Sequence, residues 1–263
     1  MKGKNVLIVG GLGQIGINSA IIMQQAGAKV IIFDMQDLPD LNSKKTSKID
    51  IEKVDYYQVD ITIEKQVKSA VKLLKKKYGT IDVLINHSHF KGDPKKLKPH
   101  SEFFEPLDRY SFDIWKETLD VNMNGLFLIS KEISSLMKQQ KKGVIVNTSS
   151  TYGVVSPNAS IYGDSGINSP ISYAASKSAI INFTRYLATH LAAYNIRANI
   201  LTPGGVKNTG QSAEFIKNYS NLTPLKRLAK PNEYQGAVLF LASDASSYMT
   251  GSNLVVDGGW TSW

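Results

Sequence analysis

The stretch Asn5-Val6-Leu7-Ile8-Val9-Gly10-Gly11-Leu12-Gly13-Gln14-Ile15-Gly16 decides the fold. An apolar run suited to a buried strand leads straight into glycines, and the amphipathic stretch Ile15–Ala26 follows. A strand as continuously apolar as Val6–Val9 fits a parallel sheet covered on both faces. Gly11, Gly13 and Gly16 match G-x-G-x-x-G. Without side chains the turn is tight and the backbone approaches a pyrophosphate closely. The N–H groups and dipole at the start of the helix then face the phosphates.

Working outward, the same alternation repeats along the chain. Short apolar runs at Asn5–Val9, Val30–Phe33, Tyr56–Val59, Ile81–Ile85, Val144–Asn147, Arg197–Leu201 and Asn253–Val256 read as strands. Between them, Ile15–Ala26, Glu64–Tyr78, Phe112–Gln139, Ile171–Tyr194 and Asn232–Ala242 read as helices. Strands alternating with helices build βαβ units. The expected fold is α/β, a Rossmann-type doubly wound parallel sheet of seven strands with helices on both faces. Nothing splits the chain, so residues 1–263 are expected to form one dinucleotide-binding and catalytic domain. Two segments lack the rhythm, 87–108 and 154–170. Both follow a strand, at the edge where such folds bind ligands, and long loops there are commonly functional.

The second strand ends in Asp34, 23 residues after Gly11. A carboxylate at this place bonds the adenosine ribose hydroxyls and repels a 2′-phosphate. No Arg or Lys follows at Met35 or Gln36. The cofactor reading is therefore NAD in preference to NADP. Asp60, ending the third strand, is a candidate for the adenine side; a helix N-cap is an equally good reading of it.

Tyr173-Ala174-Ala175-Ser176-Lys177 places a phenol and an ammonium one helical turn apart on one face. A cation held close lowers a phenol from its ordinary value near 10, typically by about 1–3 units. Such a phenol exchanges protons near neutral pH.

Taken in order, these pieces resemble the short-chain dehydrogenase/reductase family over nearly the whole chain. Asp82–Asn86 resembles the family's fourth-strand Asn segment, Asp120-Val121-Asn122 its helix motif, and Val146–Ser150 the fifth strand ending in a Ser. Tyr173 and Lys177 match its Tyr–Lys pair. Asn199–Gly204 is similar to the segment that reaches the nicotinamide, and Val256–Gly259 to the last strand. The resemblance implies a catalytic set of Asn122, Ser150, Tyr173 and Lys177. Tyr173 would be the general acid/base, and Lys177 would hold the nicotinamide ribose and depress the Tyr pKa. Ser150 would bind the substrate oxygen, with Ser149 the runner-up, and Asn122 would support a proton relay. It also implies a cofactor site of Gly10, Gly11, Gly13, Gln14, Ile15, Gly16, Asp34, Asp60, Ile61, Asn86, Tyr173, Lys177, Pro203, Gly204 and Val206. A homotetramer is the expected assembly, with a dimer as the alternative.

The chain departs from the family pattern in four places. Gly10, Gly13 and Gly16 follow G-x-x-G-x-x-G instead of the commoner G-x-x-x-G-x-G. Asn86-His87-Ser88-His89 replaces Asn-Asn-Ala-Gly. Ser150 and Tyr173 are 23 apart, about ten more than is usual. Asn208 stands where a Thr commonly follows Pro-Gly. His87 and His89 have no carboxylate or Cys partner nearby in sequence, so no metal site is expected.

The enlarged loops set the substrate. Ser156, Asn158, Ser160, Tyr162, Asp164, Ser165 and Asn168 give a hydroxyl- and amide-rich wall that suits a polyhydroxylated small molecule. Lys91, Lys95, Lys96 and Lys98 suit an anionic one, or form a solvated basic loop. Tyr152–Pro157 and Val256–Trp263 loosely resemble oxidoreductases of flagellin modification and surface-polysaccharide sugars. The expectation is NAD-linked oxidation or reduction on a sugar phosphate or nucleotide sugar. The alternatives are a 3-oxoacyl-thioester (acyl-carrier-protein) reductase and a catalytically idle NAD-binding regulatory protein.

Composition excludes other classes. With 263 residues and no cysteine, the chain has no disulfide, Cys–metal or thiol chemistry to offer. The charge of +9 raises the question of nucleic acid. Only four basic residues are Arg (Arg109, Arg185, Arg197 and Arg227), and base readout leans on Arg forks. Most of the lysines fall on polar helix faces, so no nucleic-acid partner is expected. No apolar run approaches the roughly 18 residues of a membrane span. The apolar stretch near the start is too short for a signal peptide, and the cytoplasm is the expected location.

Overall fold

The computed structural model describes residues 1–37, 50, 53–90, 102–165 and 167–263. Its centre is a seven-stranded parallel sheet: β1 (Asn5–Val9), β2 (Lys29–Asp34), β3 (Val54–Gln58), β4 (Val83–Asn86), β5 (Gly143–Thr148), β6 (Ile196–Pro203) and β7 (Asn253–Val256). The strand order is β3-β2-β1-β4-β5-β6-β7. Helices α1 (Gln14–Gln25), α2 (Glu64–Tyr78), α3 (Phe112–Leu119), α4 (Leu126–Gln140), α5 (Ile171–Leu191), α6 (Ala213–Leu222) and α7 (Gln235–Ala242) complete it. The fold is the expected Rossmann-type doubly wound α/β sheet.

The strand alternation sorts the core into two layers. Leu7, Val9, Ile31, Phe33, Leu84 and Ile145 meet Val67 and Leu74 of α2, Ile129 and Ile133 of α4, and Leu187 of α5. Val6, Ile8, Val30, Ile32 and Ile85 meet Ile17 and Ile21 of α1 and Val238 and Leu241 of α7. Each such buried side chain contributes about 1.5–3 kcal/mol. A third, smaller cluster (Ile161, Tyr219, Leu228 and Trp260) ties the loop after β5 to α6 and the C-terminal segment.

Strand register brings the site together. Val9 pairs with Phe33 and with Asn86, Asn86 with Asn147, and Thr148 with Leu201. The residues that follow these strands therefore leave the same edge. The strand order reverses between β1 and β4, which opens a crevice there.

Two elements differ from the sequence pattern. The stretch Phe112–Gln139 is not one helix: a π-helical turn at Asp120–Gly125 separates α3 from α4. Helix α6, capped by Ser212 Oγ accepting from Phe215 N–H at 3.1 Å, has no counterpart in the sequence pattern. Lys91, Lys95, Lys96, Lys98 and His100 lie outside the described residues. Among the described residues no helix is long and apolar enough to cross a membrane.

Candidate active site

A cavity of about 300 Å³ opens at the carboxyl edge of the sheet. One wall is the turn from β1 into α1. Gly10 has φ +70°, and a Cβ there would meet Ser88 N at 2.7 Å. A Cβ on Gly16 would press into the backbone of Gly10 and Gly11, with Gly11 Cα at 2.8 Å. Gly10, Gly13, Gln14, Ile15 and Gly16 line the cavity, whereas Gly11 backs onto Ile32. Among the described residues no side chain caps α1, and its first turn has no acidic residue. Its leading N–H groups are thus kept for an anion.

The opposite wall comes from β5 and α5. Ser150, Tyr173 and Lys177 all line the cavity. Ser150 Oγ accepts from Tyr152 N–H at 3.2 Å and lies near enough to the Tyr173 hydroxyl to lower its pKa. Ser149 turns the other way, donating Oγ–H to Lys177 O at 2.7 Å. Lys177 is fully buried, its ammonium donating to Thr148 O at 2.9 Å and lying 5.6 Å from the Tyr173 ring centroid.

The electrostatics correct one expectation. The Tyr173 phenol is held above its ordinary value, because enclosure outweighs the lowering hydrogen bond from Ser150. Burial also brings Lys177 down to about 7. Spacing places the pair on one face but says nothing of how dry that face is.

Asn122 stands behind this wall in the π-helical turn. Its Oδ1 accepts from Phe90 N–H at 2.7 Å, and its Nδ2 donates to Ser176 Oγ at 2.8 Å. Asn86, at the end of β4, is buried and does not line the cavity: Nδ2 donates to Asn147 Oδ1 at 2.7 Å, and Oδ1 has no hydrogen-bond partner among the described residues. Asp34 closes β2, accepting from Leu12 N–H at 3.0 Å and Gln36 N–H at 3.1 Å. Asp60 Oδ1 accepts from Thr62 N–H and Oγ1–H at 2.9 and 2.7 Å, a local turn that precedes α2; the N-cap position of that helix is Ile63, so Asp60 does not cap it. The adjacent Ile61 is buried against Gly125. Pro203, Gly204, Val206 and Asn208 line the third side. Both nitrogens of His87 are engaged, by Ser19 and Thr148, so this ring has none left for a metal.

Two features escape the sequence reading. Gln14 Nε2 reaches across the cleft to Lys207 O at 2.7 Å. At the far end Tyr152, Tyr162, Phe215 and Tyr219 line the cavity, and Tyr219 stacks on Trp260 at 4.2 Å. The only sequence signal for this wall was the polar, Tyr-bearing insertion itself.

The family model described as "Enoyl-(Acyl carrier protein) reductase" matches residues 12–261. A 3-oxoacyl-[acyl-carrier-protein] reductase of Thermotoga maritima is 34% identical over 262 residues, covering 98% of each chain. A short-chain dehydrogenase of Leptospira borgpetersenii with bound NAD+ is 37% identical, with a TM-score of 0.85 over 99% of this chain and 94% of that one. A gluconate 5-dehydrogenase of Burkholderia cenocepacia, in complex with NADP and tartrate, is 27% identical, with a TM-score of 0.84 over 100% and 97%. With the motifs, the sheet and these relatives in agreement, the chain belongs to the short-chain dehydrogenase/reductase family of oxidoreductases, which act on CH–OH groups with a nicotinamide cofactor.

Proposed function

We propose that the chain is an NAD(H)-dependent oxidoreductase moving hydride between nicotinamide and a secondary alcohol or ketone of a sugar-like substrate. The substrate class is a sugar phosphate or nucleotide sugar, of the kind used in surface-glycan or flagellin modification. One observation carries the reading: Ser150, Tyr173 and Lys177 share a cavity with the bare N-terminus of α1.

The residues present fit a dinucleotide. The glycine turn and α1 would hold the pyrophosphate. Asp34 would bond the adenosine ribose and disfavour the extra phosphate of NADP. Asp60 and Ile61 would flank the adenine, and Pro203, Gly204 and Val206 the nicotinamide, with Asn86 beneath. When bound, the nicotinamide supplies the hydride acceptor or donor.

The chain's own groups manage the proton. Ser150 Oγ holds the alcohol oxygen. During reduction the Tyr173 hydroxyl donates its proton to the substrate oxygen; during oxidation the Tyr173 phenolate takes that proton from the alcohol. Lys177 keeps a cation beside the phenol as negative charge develops there, and Asn122 braces the pair through Ser176. The aromatic wall offers ring faces and hydroxyls to a polyol ring. The working unit is one domain over residues 1–263, assembled as a homotetramer, which light scattering tests.

The Thermotoga relative favours a second reading, reduction of a 3-oxoacyl thioester. Nicotinamide absorbance over a panel of sugar phosphates, nucleotide sugars, polyols and 3-oxoacyl thioesters separates the two. Turnover is expected with a sugar and NAD. Tyr173→Phe should cut it roughly 10²- to 10⁴-fold while NADH still binds. Turnover confined to acyl thioesters, or retained in Tyr173→Phe, overturns the proposal.

A further inference from the structure

His87 takes no part in the proton steps above, yet it is buried where the cofactor helix meets the catalytic strand. It follows β4, and its imidazole stands between two elements. Nε2 lies 2.9 Å from Ser19 Oγ of α1, and Nδ1 lies 2.7 Å from Thr148 Oγ1 of β5.

A neutral imidazole has one N–H and one bare nitrogen, so it donates to one of these hydroxyls and accepts from the other. Ser19 Oγ also lies 3.0 Å from Ile15 O; with its hydrogen directed there, His87 Nε2–H donates to Ser19 and Nδ1 accepts from Thr148 Oγ1–H. Burial and the nearby Lys177 push the imidazole down to about 3, so the ring is neutral at ordinary pH.

The chain of bonds continues at both ends. Ile15 belongs to the first turn of α1 and lines the cavity. Thr148 O receives the Lys177 ammonium at 2.9 Å. We propose that His87 is a positioning residue: through Ser19 and Thr148 it fixes the phosphate-facing turn of α1 relative to Lys177. This rests on the cofactor reading above. The demand it answers is geometric, because hydride transfer needs its partners placed to within a fraction of an ångström. A displacement of about 1 Å costs on the order of 100-fold.

A rigid ring with a donor on one side and an acceptor on the other satisfies both hydroxyls. Gln carries the same pair on an amide, whereas Phe fills the space and leaves Ser19 and Thr148 unmatched. The test compares His87→Phe, His87→Gln, Thr148→Val and the double variant His87→Phe/Thr148→Val. The readouts are NADH affinity and bound-NADH emission, with kcat and KM for whichever alcohol the panel identifies. His87→Phe should weaken NADH about tenfold and lower kcat roughly 10- to 100-fold. His87→Gln should recover to within a few-fold of wild type. Thr148→Val should act like His87→Phe and add less than about twofold to it, since both cut one link. It also serves if His87→Phe does not fold.

Wild-type NADH affinity, emission and kcat in His87→Phe overturn the proposal alone. So does a His87→Gln variant as impaired as His87→Phe, or full additivity in the double variant. A wild-type protein that binds no NADH overturns the cofactor reading, and this proposal with it.

Discussion

Asp34 closes β2 with a carboxylate that two backbone N–H groups, from Leu12 and Gln36, hold in place. The hold matters because a fixed charge discriminates between ligands better than a mobile one. Asp34→Asn keeps an acceptor for Leu12 N–H and removes the charge. The ratio of NADPH to NADH affinity should then move toward NADPH by about tenfold, measured by titrating cofactor fluorescence. An unchanged ratio would show that the carboxylate is not the selector. Asp34 was legible because its role depends on the end of a strand and a distance along the chain. The protonation of Tyr173 and Lys177 was not, because burial on α5 is set by residues far away in sequence. Both groups are pushed toward their neutral forms, the phenol upward and the ammonium down to about 7. His87 was legible only as an oddity, since its partners Ser19 and Thr148 stand 68 and 61 residues away.

The π-helical turn Asp120–Gly125 does what an uninterrupted helix does not. It turns Asn122 inward toward Phe90 N–H and Ser176 Oγ and sets Gly125 against Ile61, where a Cβ would come within 2.7 Å of Cγ1. Such bulges cluster at functional sites. The apolar periodicity of Phe112–Gln139 reads as one helix because a six-residue interruption barely disturbs the pattern. Asn122→Ala leaves the half-buried Phe90 N–H without its acceptor, at a cost of roughly 1–3 kcal/mol. Asn124→Ala, in the same turn but exposed and bonded through its side chain to Asp120, should cost no more than about 0.5 kcal/mol. Urea unfolding of both variants checks this, and equal losses would assign Asn122 no special anchoring. Helix α6 was illegible for a related reason. Its apolar face, Phe215 and Tyr219, is completed by Tyr162 and Trp260 from other parts of the chain. No short window of sequence contains both sides of that contact.

At the scale of the whole molecule the sheet separates two apolar layers, and His87 sits at their edge, joined to α1 on one side and β5 on the other. Its ring lines the cavity but is buried with both nitrogens engaged, and protonation turns the accepting nitrogen into a second donor. The unfolded chain protonates this His near its ordinary value of 6.5, whereas the folded chain resists until about 3. Between those values the unfolded state binds the extra proton, so folding stability falls as pH drops through the window. The slope is about 1.4 kcal/mol per pH unit while the unfolded ring is charged. Above the unfolded value the effect vanishes. Carboxylates held low by partners, such as Glu233 beside Arg227 at about 2, act in the same direction at lower pH. Wild type minus His87→Gln isolates the imidazole, since both share every other titrating group. Between about pH 7 and about pH 5.5 the wild type should lose roughly 1–2 kcal/mol more than His87→Gln, read from urea midpoints. Parallel losses in the two proteins would mean that the ring takes up its proton in the folded state, from the cavity that it lines.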